Sequence, residues 1–235
     1  RPVASAVAFA NGSILALDDA ARALPADETW DAGGRTLTPG FNDAHSHTVW
    51  FGQTLLEVDL SQVATPANVY SALAAAETNP DGWVIASGFR PSALEAPVTI
   101  AELDRATHGQ PLLIKHNSGH AYTVNTAALR AAGIDPTNPP EIEGGEFVRD
   151  EDGNCTGLVD ENAMRAIQNV TLPESGEEIA RALELATRNY LERGLTSVTD
   201  AGVAGGWIGH SPREIAAYQK AVSYTHLRAH ETRHD

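Results

Sequence analysis

The sequence is poor in the residues that would tie it to an oxidising compartment, to nucleic acid or to a bilayer. Its 235 residues include a single cysteine, which excludes an internal disulfide framework and fits a reducing compartment. That residue, Cys155, follows an Asp152-Gly153-Asn154 turn and reads as a surface or half-buried thiol, not a nucleophile. Positive charge is scarce: 16 Lys and Arg stand against 31 Asp and Glu, for a net charge of −15. Such a chain has little with which to neutralise phosphates, so nucleic acid and anionic membrane surfaces are excluded as partners. Apolar runs are short, and none approaches the ~20 residues of a membrane-spanning helix. An initiator methionine is also missing. The chain begins at an arginine and enters strand-like sequence almost at once, so it is expected to be cut at the N-terminus, with an upstream signal peptide left open.

What is present describes a folded protein. The 42% hydrophobic content with 20 Gly and 13 Pro is that of a globular chain, long enough for one large or two small domains. Residues 3 to 17 read as a hairpin turning on Asn11-Gly12, a pair suited to the positive φ angles of a type I′ turn. Thr99 and Glu102 form a capping-box pattern for a helix running to about Thr107 and stopped by His108-Gly109. Leu112 to Lys115 reads as a buried strand. Asn125 caps a short helix that Gly133 ends, and the stretches 146–150 and 156–160 flank a turn as a second hairpin. Further on, Ser175 and Glu178 repeat the capping box, and Ile179, Ala182, Leu183, Ala186 and Tyr190 follow helical spacing. Gly194 closes that helix before a short apolar strand from Leu195 to Thr199. Helix, glycine joint and strand together are the repeating unit of a β/α barrel.

The stretch with most chemical content is Thr38-Pro39-Gly40-Phe41-Asn42-Asp43-Ala44-His45-Ser46-His47. Side chains two apart on a strand share a face, so His45 and His47 can converge on one ion. Neutral imidazole suits zinc and other borderline divalent metals. This stretch resembles the signature of the amidohydrolase superfamily, a Pro-Gly-Phe turn leading into an Asp-x-His-x-His strand. Later segments narrow the resemblance to the branch related to N-substituted formamide deformylase (amidohydrolase family 3). They are Gly82 to Phe89, Pro111 to His120, Val124 to Leu129, Gly144-Gly145 with Arg149-Asp150, Thr156 to Val159 and Gly194 to Gly202, in the family's order over roughly residues 3 to 221.

The resemblance implies an α/β fold: a partial distorted TIM (β/α)8 barrel with an N-terminal β-sandwich segment and an α+β insertion. It divides the chain into residues 1–38, the N-terminal part of a small β-sandwich; 39–60, the first barrel strand with the metal motif; 61–170, an insertion forming a wall or lid; and 171–221, a helix and second barrel strand. Residues 222–235 leave the pattern and resemble a translated sequencing-adapter tail, so His226, His230 and Glu231 are not read as a metal site.

The same resemblance implies a divalent metal centre, zinc by preference, of one or two ions, with His45 and His47 as ligands. The chemistry it implies is hydrolysis of non-peptide C–N bonds in small amide-like compounds by metal-activated water. The alternatives are a related deaminase or cyclic amidase, or a truncated non-catalytic protein. Asp43 is expected to hold neighbouring backbone or a ligand's imidazole. Asp200, at a strand end, is a catalytic or pocket candidate with loop capping as the bland alternative. His120, in Ser118-Gly119-His120, either orients a substrate carbonyl or is satisfied by local backbone. His116 reads as a satisfied histidine, His108 as a helix-terminal one, and His210 has no matched role. Lys115 is not the family's bridging lysine, which comes from a later strand, and Glu161 reads as a helix-start carboxylate. The remaining ligands and the catalytic aspartate are expected beyond residue 221, which would leave this chain alone inactive. A cytoplasmic protein, with a homo-oligomer open to it, completes the reading.

Overall fold

A computed structural model describes residues 3–171, 175–204 and 213–225. The chain divides between Pro39 and Gly40 into two compact units. In the first, β1 (Val7–Ala10) and β2 (Ser13–Leu17) pair antiparallel. Asn11 and Gly12 sit at φ 50° and 76°, the two positive angles a type I′ hairpin requires. A short helix, α1 (Asp18–Arg22), follows. This hairpin is the only sheet among the unit's described residues, so no sandwich is formed within it.

The second unit begins with β3 (Phe41–Ser46) and α2 (Thr48–Thr54). A six-stranded sheet comes next, in the order β4-β5-β6-β7-β9-β8. Its strands are β4 (Val58–Asp59), β5 (Val84–Phe89), β6 (Leu112–His116), β7 (Ala121–Val124), β8 (Gly145–Arg149) and β9 (Cys155–Glu161). β4, β5 and β6 run parallel, and the remaining pairings are antiparallel. Both faces are covered. Strand alternation sends Leu112 and Ile114 into one core with Phe89, Val69, Leu73 and Leu103, under α3 (Pro66–Ala74) and α4 (Ile100–Ala106). Leu113 goes to the opposite core with Leu129, Phe147, Met164 and Ile167, under α5 (Thr126–Ala131) and α6 (Met164–Thr171). A sheet buried on both sides explains why β5 and β6 read as apolar runs.

Asn125 shows how one residue ties this sheet to a helix. It is fully buried. Its Oδ1 accepts the amides of Leu112 and Ala128, at 3.0 and 2.9 Å, while Nδ2 donates to Thr107 Oγ1 and the Gln110 carbonyl. The cap thus also spans β6 and the end of α4, and no polar atom of the side chain is left without a partner. The Thr99 cap is only half of the expected box. Thr99 Oγ1 accepts the Glu102 amide at 3.3 Å, but the Glu102 carboxylate pairs with Arg105 one turn on. Cys155 corrects the sequence reading outright: it is buried against Ile167 and Phe147, because β9 begins on the sheet's inner face.

The last elements return to β3. The helix α7 (Gly176–Glu192) opens on a complete capping box between Ser175 and Glu178. It leads through Gly194 to β10 (Leu195–Asp200), which pairs parallel with β3. Ile179 and Leu183 of α7 pack on Val49 of α2 and Ala217 of α8 (Arg213–Thr225). The α2–α7 approach is close enough that a methyl at Gly52 would lie 2.0 Å from the Ala182 carbonyl oxygen. Two parallel strands with a helix between them are a mixed α/β arrangement; no closed barrel exists among the described residues. No described helix is long and apolar enough to cross a membrane. The helix α8 runs across the boundary drawn at residue 221, and His210, His226, His230 and Glu231 lie outside the described residues.

Candidate metal centre

The Pro39-Gly40 turn is explained by crowding. A methyl on Gly40 would fall 2.1 Å from Thr196 Oγ1, so only glycine lets β3 start flush against β10. The register between the two strands then slips twice. Val198 lies opposite Asp43 and Asp200 opposite Ser46, so three steps along β3 match two along β10. An extra residue of this kind bends a strand and re-aims its side chains, a device common beside active sites.

The two histidines do not share a strand face as period-two logic has it. β3 ends at Ser46, and His47 occupies the N-cap of α2 at φ −126°, ψ 79°. The bulge and the turn into the helix nevertheless bring the rings together, edge to face, with centroids 5.2 Å apart. Two imidazoles on one tetrahedral zinc, each with Zn–N of about 2.0–2.1 Å, have ring centres about 5 Å apart. His45 is exposed and His47 half-buried. His47 Nδ1 is buried and has no hydrogen-bond partner, a costly state for a ring nitrogen that an ion or a proton-bearing ligand would relieve. The pair therefore fits a divalent metal as far as it goes. No third His, Cys, Asp or Glu joins it among the described residues.

Asp43 turns its carboxylate back on its own strand, accepting the His45 amide at 3.1 Å. That is the backbone-holding alternative of its two expected roles. Asp200 also holds backbone. Its Oδ2 accepts the Thr48 amide at 2.7 Å and the Tyr218 hydroxyl, while Oδ1 accepts the Gly202 amide at 3.0 Å. Burial, and then the bond to this carboxylate, push the Tyr218 phenol well above its ordinary range. Tyr218 is thus a permanent donor at neutral pH. Ser46 is clamped from the other side: its carbonyl accepts the Ala201 amide at 2.9 Å and its hydroxyl lies 2.7 Å from Tyr190 Oη.

Trp50 links the histidine pair to its surroundings. Trp50, in the first turn of α2, lies 6.1 Å from the His47 ring, tilted at 47°. Its far edge faces the β6–β7 turn, where a methyl added to Gly119 would sit 3.7 Å from Trp50 Cη2. The Ser118-Gly119-His120 segment thus neighbours Trp50. His120 Nδ1 lies 3.1 Å from Glu161 Oε1. Glu161 is not at a helix start; it is the last residue of β9, with φ 45°, and α6 begins three residues later.

His116 and Lys115 belong to the interior. His116 Nε2 lies 2.7 Å from Thr123 Oγ1, and burial lowers its pKa to about 4. It is the satisfied histidine its sequence context suggests. Lys115 forms an ion pair of 2.6 Å with Glu57, both side chains largely buried. His108 follows α4 at φ 53°. Sequence reasoning gives no site role to Trp50, Glu57, Tyr190 or Tyr218. Only Trp50 carried a signal, an aromatic three residues after the second histidine, where the first helical turn points it back over the motif.

The family model described as "Amidohydrolase family" matches residues 28–234. The chain belongs to the amidohydrolase family. It is 32% identical over 203 residues to YtcJ of Bacillus subtilis (strain 168), named as an amidohydrolase, covering 85% of this chain and 38% of that one. It is 33% identical over 191 residues to the N-substituted formamide deformylase of Arthrobacter pascens, covering 77% and 35%. The chain thus spans well under half the length of either relative. Among solved structures, an uncharacterized metal-dependent hydrolase from Pyrococcus furiosus superposes with TM-score 0.62 at 18% identity, over 94% of this chain and 44% of that one.

Proposed function

We propose that this chain carries the first-strand part of a metal-dependent amidohydrolase site that hydrolyses C–N bonds other than peptide bonds in small amide-like substrates. The observation that carries this reading is the His45–His47 pair, set at the ring spacing of two ligands on one ion with a buried, unpartnered nitrogen on His47. The family membership and the name of the Arthrobacter pascens relative support the bond type.

His45 and His47 would hold the ion, with zinc the best match to paired imidazoles. When bound, such an ion acidifies a water and polarises a carbonyl. The chain's own residues fix the ligands. Asp43 pins the His45 amide, Asp200 pins the amide after His47, and Ser46 between them is tied to Ala201 and Tyr190. A catalytic zinc takes three protein ligands, so we assign the others to sequence outside the described residues. On this reading β3 and β10 are the first two strands of a β/α barrel and the six-stranded sheet with its helices is the insertion that walls the site. The hairpin unit then contributes to a β-sandwich, and the protein works in the cytoplasm, alone or as a homo-oligomer.

The test uses the full-length gene product, loaded with zinc. Metal content by mass spectrometry and hydrolysis of N-substituted formamides are measured for the parent, His45→Ala and His47→Ala. Loss of at least one bound ion and of hydrolysis in both variants is expected. Unchanged stoichiometry and turnover in either variant would overturn the ligand assignment.

A further inference from the structure

We propose that Trp50 is a positioning residue for the candidate ligand His47: its indole holds the His47 imidazole in place by ring packing, where a hydrogen bond usually does so. The inference rests on the metal-centre reading above and deepens it, since it names what keeps one ligand oriented.

A histidine that binds a metal through one ring nitrogen almost always donates from the other to a carboxylate, a carbonyl or water, and that bond fixes the ring. Among the described residues His47 has no such bond, since its Nδ1 is buried without a hydrogen-bond partner. Its backbone is better held. The His47 carbonyl accepts the Phe51 amide at 2.8 Å, and Asp200 accepts the Thr48 amide that follows. These bonds fix the main chain and leave the two side-chain torsions of the ring to packing. His47 stands at the N-cap of α2, yet its side chain makes no capping bond. Asp200 caps the helix from β10 instead, so the imidazole lacks that tether too.

Packing comes from two rings. His45 meets His47 edge to face, but His45 is exposed and is itself a candidate ligand. Trp50 is half-buried, and its ring centre lies 6.1 Å from that of His47 at a tilt of 47°, within the range of about 4.5–7 Å over which aromatic pairs attract. Residues three apart on a helix are neighbours, and long side chains lean back toward the N-terminus. Helix geometry therefore carries the indole to the residue at the cap. Trp50 holds the position where a capping box would place Glu or Gln.

Two observations separate this role from ordinary core packing. Trp50 belongs to none of the three apolar cores among the described residues. Its surroundings are also fixed. Phe51, the next residue, stacks on Tyr190 with centroids 5.4 Å apart and planes at 10°. The far edge of the indole faces Gly119, where an added methyl would sit 3.7 Å from Cη2. A held aromatic plane restricts the rotation of the ring beside it, which a flexible aliphatic side chain does not.

The test compares the full-length gene product with its Trp50→Phe and Trp50→Leu variants; phenylalanine keeps an aromatic plane and leucine only apolar bulk. Zinc affinity is read by titration against a competing chelator. Trp50→Leu is expected to bind zinc about tenfold more weakly, the lower end of the loss seen when a ligand's orienting partner is removed, and Trp50→Phe to recover most of it. Histidine-selective 15N NMR of the metal-free protein gives a second readout that needs neither zinc nor turnover, with the His47 signals identified by their loss in His47→Gln. One narrow set of His47 signals is expected in the parent and Trp50→Phe, and shifted, broadened signals in Trp50→Leu. Parent-like affinity and His47 signals in Trp50→Leu would overturn the positioning role, and so would equal losses in both variants, which would make bulk and not the aromatic plane the cause. Failure of the metal reading looks different: His47→Gln would then keep the parent's zinc affinity. That outcome overturns the ligand role, while the NMR comparison still decides whether Trp50 fixes the ring.

Discussion

Asp200 Oδ2 accepts the Thr48 amide at 2.7 Å, joining the end of β10 to the first turn of α2 across 152 residues of sequence. Thr48 is the residue after His47, whose own side chain makes no capping bond. The helix that begins at the candidate ligand is therefore capped from another strand. Replacing Asp200 by alanine removes that cap and leaves the Tyr218 hydroxyl without its acceptor. A lost cap costs about 0.5–2 kcal/mol and a stranded donor about 1–3, so Asp200→Ala should lower urea stability by about 2–4 kcal/mol. Zinc affinity should fall with it, because His47 loses its fixed backbone. Urea melts and competitive zinc titration check both; a variant as stable as the parent would show that the cap carries no weight.

Gly52 sets two opposing rules against each other. Helix propensity alone favours alanine over glycine by about 0.5–1 kcal/mol. The added methyl, however, would lie 2.0 Å from the Ala182 carbonyl oxygen, a backbone atom of a packed helix. Overpacking of this kind costs about 1–3 kcal/mol, and the two terms sum to a net loss. Gly52→Ala should therefore melt at a lower temperature than the parent. A higher melting temperature would mean that α7 moves aside freely.

Much of this architecture was legible in local pattern, and the failures share a cause. The α7 capping box, the Asn11-Gly12 hairpin and the β8–β9 hairpin depend on neighbours in sequence, and each formed as expected. The two-residue spacing of His45 and His47 correctly suggested proximity but not its means. The rings meet through a bulge and a helix cap, neither of which leaves a trace in hydrophobic periodicity. Cys155 was misplaced because a polar turn precedes it, while its burial depends on α6 packing over β9. Three polar residues before Ala163 and Met164 make Glu161 look like a helix start, whereas it ends β9. Its left-handed turn is dictated by Gly144-Gly145, distant in sequence. The backbone-holding role of Asp200 depends on Thr48 and Tyr218, both far from it in sequence or on another element.

The Lys115–Glu57 pair, 2.6 Å apart with side chains 15% and 8% exposed, is an interior ion pair. Glu57 Oε2 is buried without a hydrogen-bond partner, so the carboxylate depends heavily on the lysine. Removing one member of such a pair costs about 3–5 kcal/mol, whereas replacing both with apolar residues is often neutral or better. Lys115→Met should thus be strongly destabilised, and Lys115→Met/Glu57→Leu should recover most of the loss. Denaturant melts of the two singles and the double form the cycle. If the double is no more stable than Lys115→Met, the cost lies in lost lysine packing and not in a stranded carboxylate.

His116 gives the fold a definable acid sensitivity. Burial holds its pKa at about 4, against an ordinary 6.5, and the neutral ring is fixed by Thr123 and packed edge-on to Phe89. Between these two values the unfolded chain binds a proton that the folded chain refuses, so protonation favours unfolding. The stability this group preserves is complete above pH 6.5 and declines as pH falls from 6.5 through 4. At 1.36 kcal/mol per pKa unit the loss is at most about 3 kcal/mol. Carboxylates also titrate toward the lower end of this range, so the parent must be compared with His116→Gln, which keeps a polar partner for Thr123 but cannot be protonated. Urea melts at pH 7.5, 6.0 and 5.0 should show the parent losing stability more steeply than the variant, with the gap opening below pH 6.5. Parallel pH profiles for the two proteins would show that His116 titrates normally and that its burial carries no electrostatic cost.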